Sequence, residues 1–141
     1  MSSKIDDIVR SLIEREGGYS DRPADRGGPT CWGITQAVAR RAGYAGDMRT
    51  MPRAVAEAIY RNSYWVDPGF EDVYSAVPGI TEELGEELLD TGTNMGVAFA
   101  STCLQRCLNV LNRGGTAWPD LAVDGDVGPA TVRSEEHTSE L

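Results

Sequence analysis

Residues 16–35, EGGYSDRPADRGGPTCWGIT, decide how this chain is read. Immediately upstream, Ile5, Ile8, Val9, Leu12 and Ile13 recur at i, i+3, i+4, i+7 and i+8, the spacing of a helix with one core-facing stripe. Glu16 continues that stripe, and Gly17 and Gly18 then stop the helix, because glycine takes the left-handed C′ conformation without a Cβ penalty. Glu16 is therefore expected on a buried face at a helix C-terminus, the surroundings a general acid working near neutral pH needs. Asp21, Pro23, Asp25, Gly27, Gly28 and Pro29 are turn formers, and Thr30-Cys-Trp-Gly-Ile-Thr35 is a short β-branched and aromatic run. This combination predicts a small β-hairpin beside the helix end, with Asp25 and Thr30 across a cleft from Glu16. One buried acid facing one solvated carboxylate is the pairing that glycosidic bond cleavage uses. Two carboxylates in an acidic chain also fit a helix stop followed by a polar loop.

Composition narrows the chemistry. The 141 residues fit one domain, and 13 Lys and Arg against 22 Asp and Glu give a net charge of −9, which argues against a nucleic-acid or anionic-membrane surface. No run approaches the 18 or so apolar residues of a membrane span, and no basic segment followed by an apolar run opens the chain, so neither a span nor a signal peptide is expected. Cys31, Cys103 and Cys107 are an odd set that fits buried thiols in a reducing compartment better than a disulfide framework. The only histidine is His137, within the final nine residues. A Ser-His-Asp triad, a Cys-His nucleophile and a His-ligated zinc site therefore lack their central residue in the rest of the chain. No metal site and no cofactor is expected. Asp124-Gly-Asp-Val-Gly128 fails as a calcium loop, because Pro129 stands where glycine is needed.

Helical periodicity continues downstream. A helix over 36–42 follows Thr35 as N-cap, and another runs over 52–63 with a stripe of Val55, Ala58, Ile59 and Asn62 and Thr50 as its cap. It leads into Tyr64 and Trp65, aromatics that could stack on sugar rings or anchor a core. Residues 67–78 read as a loop, with Pro68-Gly69 and Pro78-Gly79 as turn signals. Thr81 caps a helix towards Asn94, and a further one over 97–112 carries Ala100, Leu104, Cys107, Leu108 and Leu111 at core spacing.

The string EGGY, then D-x-G-G-x-T and W-G-I-T, resembles glycoside hydrolase family 108, muramidases common among phage and prophage lysins. The resemblance implies that Glu16 is the essential catalytic residue. The order Glu, Asp, Thr is also similar to phage-type lysozymes, which implies an aspartate in the hairpin at Asp25 and a threonine near the attacking water at Thr30. Thr30 lies one residue closer to Asp25 than that pattern has it. Tyr19, Trp32, Tyr64, Trp65 and Asn94 are the implied substrate contacts. Asp90-Thr-Gly-Thr-Asn-Met-Gly96, Leu104-Gln-Arg-Cys-Leu-Asn109 and Val123-Asp-Gly-Asp-Val-Gly-Pro-Ala-Thr131 resemble the peptidoglycan-binding type 3 region that follows family 108 segments, with Asp124, Gly125 and Gly128 in its last motif.

The implied organisation is a catalytic segment over 1–88 and a truncated wall-binding region over 89–132, packed as one lysozyme-like α+β globule, mostly helical with one small hairpin. Residues 133–141, RSEEHTSEL, resemble the conceptual translation of a sequencing-library adapter and are expected to be a foreign tail with few core contacts. The expected activity is hydrolysis of the β-1,4 bond between N-acetylmuramic acid and N-acetylglucosamine in bacterial peptidoglycan. A monomer is expected, cytoplasmic until a holin-type partner releases it to the wall. A lytic transglycosylase and a non-catalytic wall-binding module are the alternatives.

Overall fold

The computed structural model describes residues 4–22, 27–76 and 82–138. The chain is α+β and mostly helical, with one two-stranded antiparallel sheet among the described residues. It divides into two compact units, residues 1–63 and 64–141.

The first unit is built on α1 (Lys4–Glu16) and α3 (Arg53–Arg61). Ile5, Val9, Leu12 and Ile13 form the buried stripe of α1, and Ala56, Ile59 and Tyr60 that of α3. Two ion pairs fix the direction of the pair: Asp6, early in α1, meets Arg61 at 2.6 Å, and Glu14, near its end, meets Arg53 at 3.0 Å. The helices therefore run antiparallel. Pro52 occupies the N-cap of α3 without a side-chain cap, so Thr50 does not serve there. The buried face also differs from the expected stripe, since Ala58 and Asn62 are exposed and Tyr60 is buried. Tyr60 carries a large apolar ring that outweighs alanine in deciding which side faces inward.

The hairpin forms where it was expected. Strands β1 (Thr30–Cys31) and β2 (Ile34–Thr35) pair as Thr30 with Thr35 and Cys31 with Ile34, leaving Trp32-Gly33 as a two-residue turn. Both turn residues have positive φ, 55° and 77°, the requirement of the turn whose twist matches a right-handed hairpin. Thr35 then caps α2 (Gln36–Arg41), its Oγ1 accepting from the Val38 N–H at 3.3 Å.

The second unit holds α4 (Phe70–Ala76), α5 (Glu82–Met95), α6 (Val97–Leu111) and α7 (Pro129–Thr138). Helix α4 occupies part of the stretch read as a loop, and Phe70 and Val73, one turn apart, are its buried anchors. Helices α5 and α6 pack together across Gly96, and α7 packs on α4 and α6. Past Val132, α7 continues to Thr138, and Ser134, within the stretch expected to make few core contacts, is buried with its hydroxyl donating to the Ala130 carbonyl at 2.9 Å. The buried side of α6 comprises Ala100, Ser101, Leu104, Gln105 and Leu108, whereas Cys107 and Leu111 are exposed. Of the three cysteines only Cys31 is buried. The Thr81 cap lies outside the described residues.

Candidate functional site

Glu16 is the last residue of α1, and Gly17 follows at φ 73° with its N–H on the Ile13 carbonyl at 3.1 Å. The glycine stop is thus as expected, but the burial is not: Glu16 is exposed. The reason is the length of the partner helix. Helix α3 begins at Arg53, which already meets Glu14, so its backbone starts short of the last turn of α1, which α3 approaches through the Tyr60 side chain. Among the described residues no ion pair involves Glu16.

What lies against Glu16 is the hairpin turn. A Cβ placed on Gly33 would fall 2.8 Å from Glu16 Cγ, 2.9 Å from Glu16 Cβ and 2.7 Å from Tyr60 Oη. The stem of the acid, the turn and the Tyr60 hydroxyl therefore meet where only glycine fits, and the positive φ of Gly33 makes the same demand. Tyr60 reaches this point because side chains on a helix tilt towards its N-terminus, which in α3 is the end beside Glu14 and Glu16.

Trp32 holds a backbone conformation uncommon outside glycine, at a cost of roughly 1–3 kcal/mol. Its indole N–H donates to the Met51 carbonyl at 3.0 Å and its own carbonyl accepts from Tyr60 Oη at 2.8 Å, so the residue is fixed from both sides. Trp32 is half-buried. Beneath it, burial pushes the Cys31 thiol up from its ordinary pKa, only partly offset by the backbone around Trp32 and Met51.

Thr30 is paired on both sides, with Thr35 across the hairpin and with Ser20 through backbone bonds of 2.8 Å in each direction. Ser20 is four residues beyond Glu16, so the chain leaving α1 becomes a third edge of the hairpin and ties Thr30 to the segment that follows the acid. The Thr30 hydroxyl makes a long contact, 3.4 Å, to the Ser20 carbonyl. Tyr19 is 40% exposed, with its hydroxyl 3.4 Å from Asp21. Asp25 lies outside the described residues.

The remaining expected contacts belong to the second unit. Trp65 is 1% exposed, packed edge-on against Tyr74 and tilted against Phe70, so its ring has no free face for a sugar and serves as a core anchor. Tyr64 is half-buried and Asn94 is exposed near the end of α5. Asp124, Gly125 and Gly128 form a loop held by α6. Gln105, buried, donates to Asp124 Oδ1 at 3.0 Å, to the Asp126 carbonyl at 2.9 Å and to Thr131 Oγ1 at 3.4 Å, while its own oxygen accepts from the Gly125 N–H at 3.0 Å. One turn on, Asn109 clamps Leu121 through both backbone groups at 2.9 and 2.7 Å. The Gln and Asn of the L-Q-x-x-L-N motif are therefore loop staples. Gly128 is half-buried and leads directly into α7.

Sequence reasoning missed Tyr60. Its signal was its place in the last turn of α3, where a buried tyrosine must find a partner for its hydroxyl. Among the described residues no group of three His, Cys, Asp or Glu is placed to hold a metal ion, and no helix is long and apolar enough to cross a membrane.

The family model described as Glycosyl hydrolase 108 matches residues 9–96 of this chain. Among solved structures, SagA of Brucella abortus is similar, with a TM-score of 0.65 and 25% sequence identity, covering 92% of this chain and 67% of that one. The likeness is that of a lysozyme-like α+β fold. Among curated protein sequences none matches.

Proposed function

Since the chain belongs to glycosyl hydrolase family 108, whose membership implies a glycosidase acting on peptidoglycan, we propose that it is an N-acetylmuramidase with Glu16 as its general acid. The observation that carries this reading is the placement of Glu16 inside the family match: a carboxyl at a helix end whose stem lies against a hairpin turn and which is open to substrate, not buried as expected of a general acid. A carboxyl so placed is open to substrate and restricted in direction.

Glu16 protonates the glycosidic oxygen as the bond to the N-acetylmuramic acid anomeric carbon breaks. Asp25 stabilises the positive charge that develops on that carbon or activates the water that attacks it, and Thr30 positions this water. Tyr19 and Trp32 contribute sugar contacts on the same unit. Residues 89–132 serve as a wall-binding region, with the loop held by Gln105 as its rigid part.

The test is product analysis on purified peptidoglycan. A muramidase releases fragments with a reducing muramic acid end. Fragments ending in anhydromuramic acid would make the protein a lytic transglycosylase, and binding without any cleavage would make it a wall-binding module.

A further inference from the structure

We propose that Tyr60 is a positioning residue for Glu16 and acts through the Trp32-Gly33 turn, an inference that rests on the assignment of Glu16 as general acid. Four observations converge on it. The Tyr60 hydroxyl donates to the Trp32 carbonyl at 2.8 Å, the backbone group that immediately precedes Gly33. Trp32 sits at φ 55°, a conformation that relaxes unless something holds it. Gly33 is packed so closely that a single methyl group there would strike both Tyr60 Oη and the stem of Glu16. Tyr60 itself is 4% exposed, which removes it from direct contact with a polymer and leaves its hydroxyl to act on protein groups.

The consequence is mechanical. Glu16 has several rotatable bonds and lies past the N-terminal end of α3. The turn forms the wall against which its Cβ and Cγ rest, and the Tyr60 hydroxyl fixes the height of that wall. If the bond is lost, the Trp32 peptide can tip, the wall recedes and the carboxyl samples directions in which the glycosidic oxygen is out of reach. Displacement of a catalytic group by about 1 Å is enough to cost on the order of 100-fold in rate.

The experiment separates kcat from KM on soluble peptidoglycan fragments for the wild type, Y60F and Y44F, below the melting midpoints of all three. Tyr44 Oη donates to the Asp47 carbonyl at 2.9 Å in the same unit, so Y44F deletes an exposed tyrosine-to-backbone bond of similar length away from the turn. Y60F is expected to lower kcat by at least about 10-fold with KM within about twofold, and Y44F to leave both within about twofold. Turnover of Y60F within about twofold of wild type, or equal losses in the two variants, overturns the proposal. Should Y60F not fold, G33A acts on the same contact from the other side, and a folded G33A with full turnover overturns it equally. E16Q in the same assay keeps the two readings apart. An active E16Q removes the general acid on which the inference rests, whereas an inactive E16Q beside a fully active Y60F removes only the positioning role.

Discussion

The Gln105 amide nitrogen donates to the Asp124 carboxylate at 3.0 Å, and its amide oxygen accepts from the N–H of the next residue, Gly125, at 3.0 Å. A motif whose resemblance suggests wall recognition is thus first a fold device, in which one buried side chain replaces the strand partner that the loop lacks. Gln105→Leu keeps the volume and removes every one of these bonds. It is expected to lower stability by about 2 kcal/mol, read as a fall of several degrees in melting temperature.

The same loop predicts an acid response. The Asp126 backbone N–H, followed by the Gln105 amide, holds the Asp124 carboxyl below its ordinary pKa. A depressed folded pKa means that the stabilisation is present above the unfolded value, about 3.9, and is lost as pH falls through the folded one. Asp124→Asn should therefore be less stable than wild type at pH 7, and the difference should shrink as pH is taken below about 4. Melting curves across pH 2–7 measure it, and a gap that widens on acidification would reverse the assignment.

Truncation after Val132 is expected to lower the melting temperature by several degrees. It removes most of α7 together with buried Ser134, whatever the origin of those residues. An unchanged melting temperature would show that the part of α7 past Val132 adds nothing to the second unit.

Much of this was legible in the sequence because short-range chemistry decides it. The apolar period of α1, the glycine after Glu16 and the β-branched run around Trp32-Gly33 are local signals, and each element formed where they placed it. The misses share a different cause. Burial of Glu16 depended on where a helix 37 residues further on begins, and α1 has no way to encode that. On α3 and α6 the expected stripe residues Ala58, Asn62, Cys107 and Leu111 face outward, while Tyr60 and Gln105 take inward positions. Helix α4 is seven residues long, too short to display a period, and Pro68-Gly69 before it reads as a turn. Trp65 was open to a sugar or a core reading on composition alone, and its neighbours Phe70 and Tyr74 decide for the core.

Asp25→Asn is expected to reduce turnover by about 100-fold or more while wall binding stays close to wild type, because in the proposed mechanism its charge matters chiefly as positive charge develops at the anomeric carbon. Pull-down on purified walls beside a rate assay makes the comparison. Turnover within about twofold of wild type would pass the role to another carboxylate, with exposed Asp21 next to be replaced.

The most direct measurement is the clearing of a suspension of purified cell walls by the wild type and by Glu16→Gln at pH 7, with melting curves on the same samples. Exposure of Glu16 predicts that the substitution leaves stability within about 0.5 kcal/mol of wild type. The proposed role as proton donor predicts that clearing slows by at least about 100-fold. A folded Gln variant that clears walls at the wild-type rate would contradict the account at its centre.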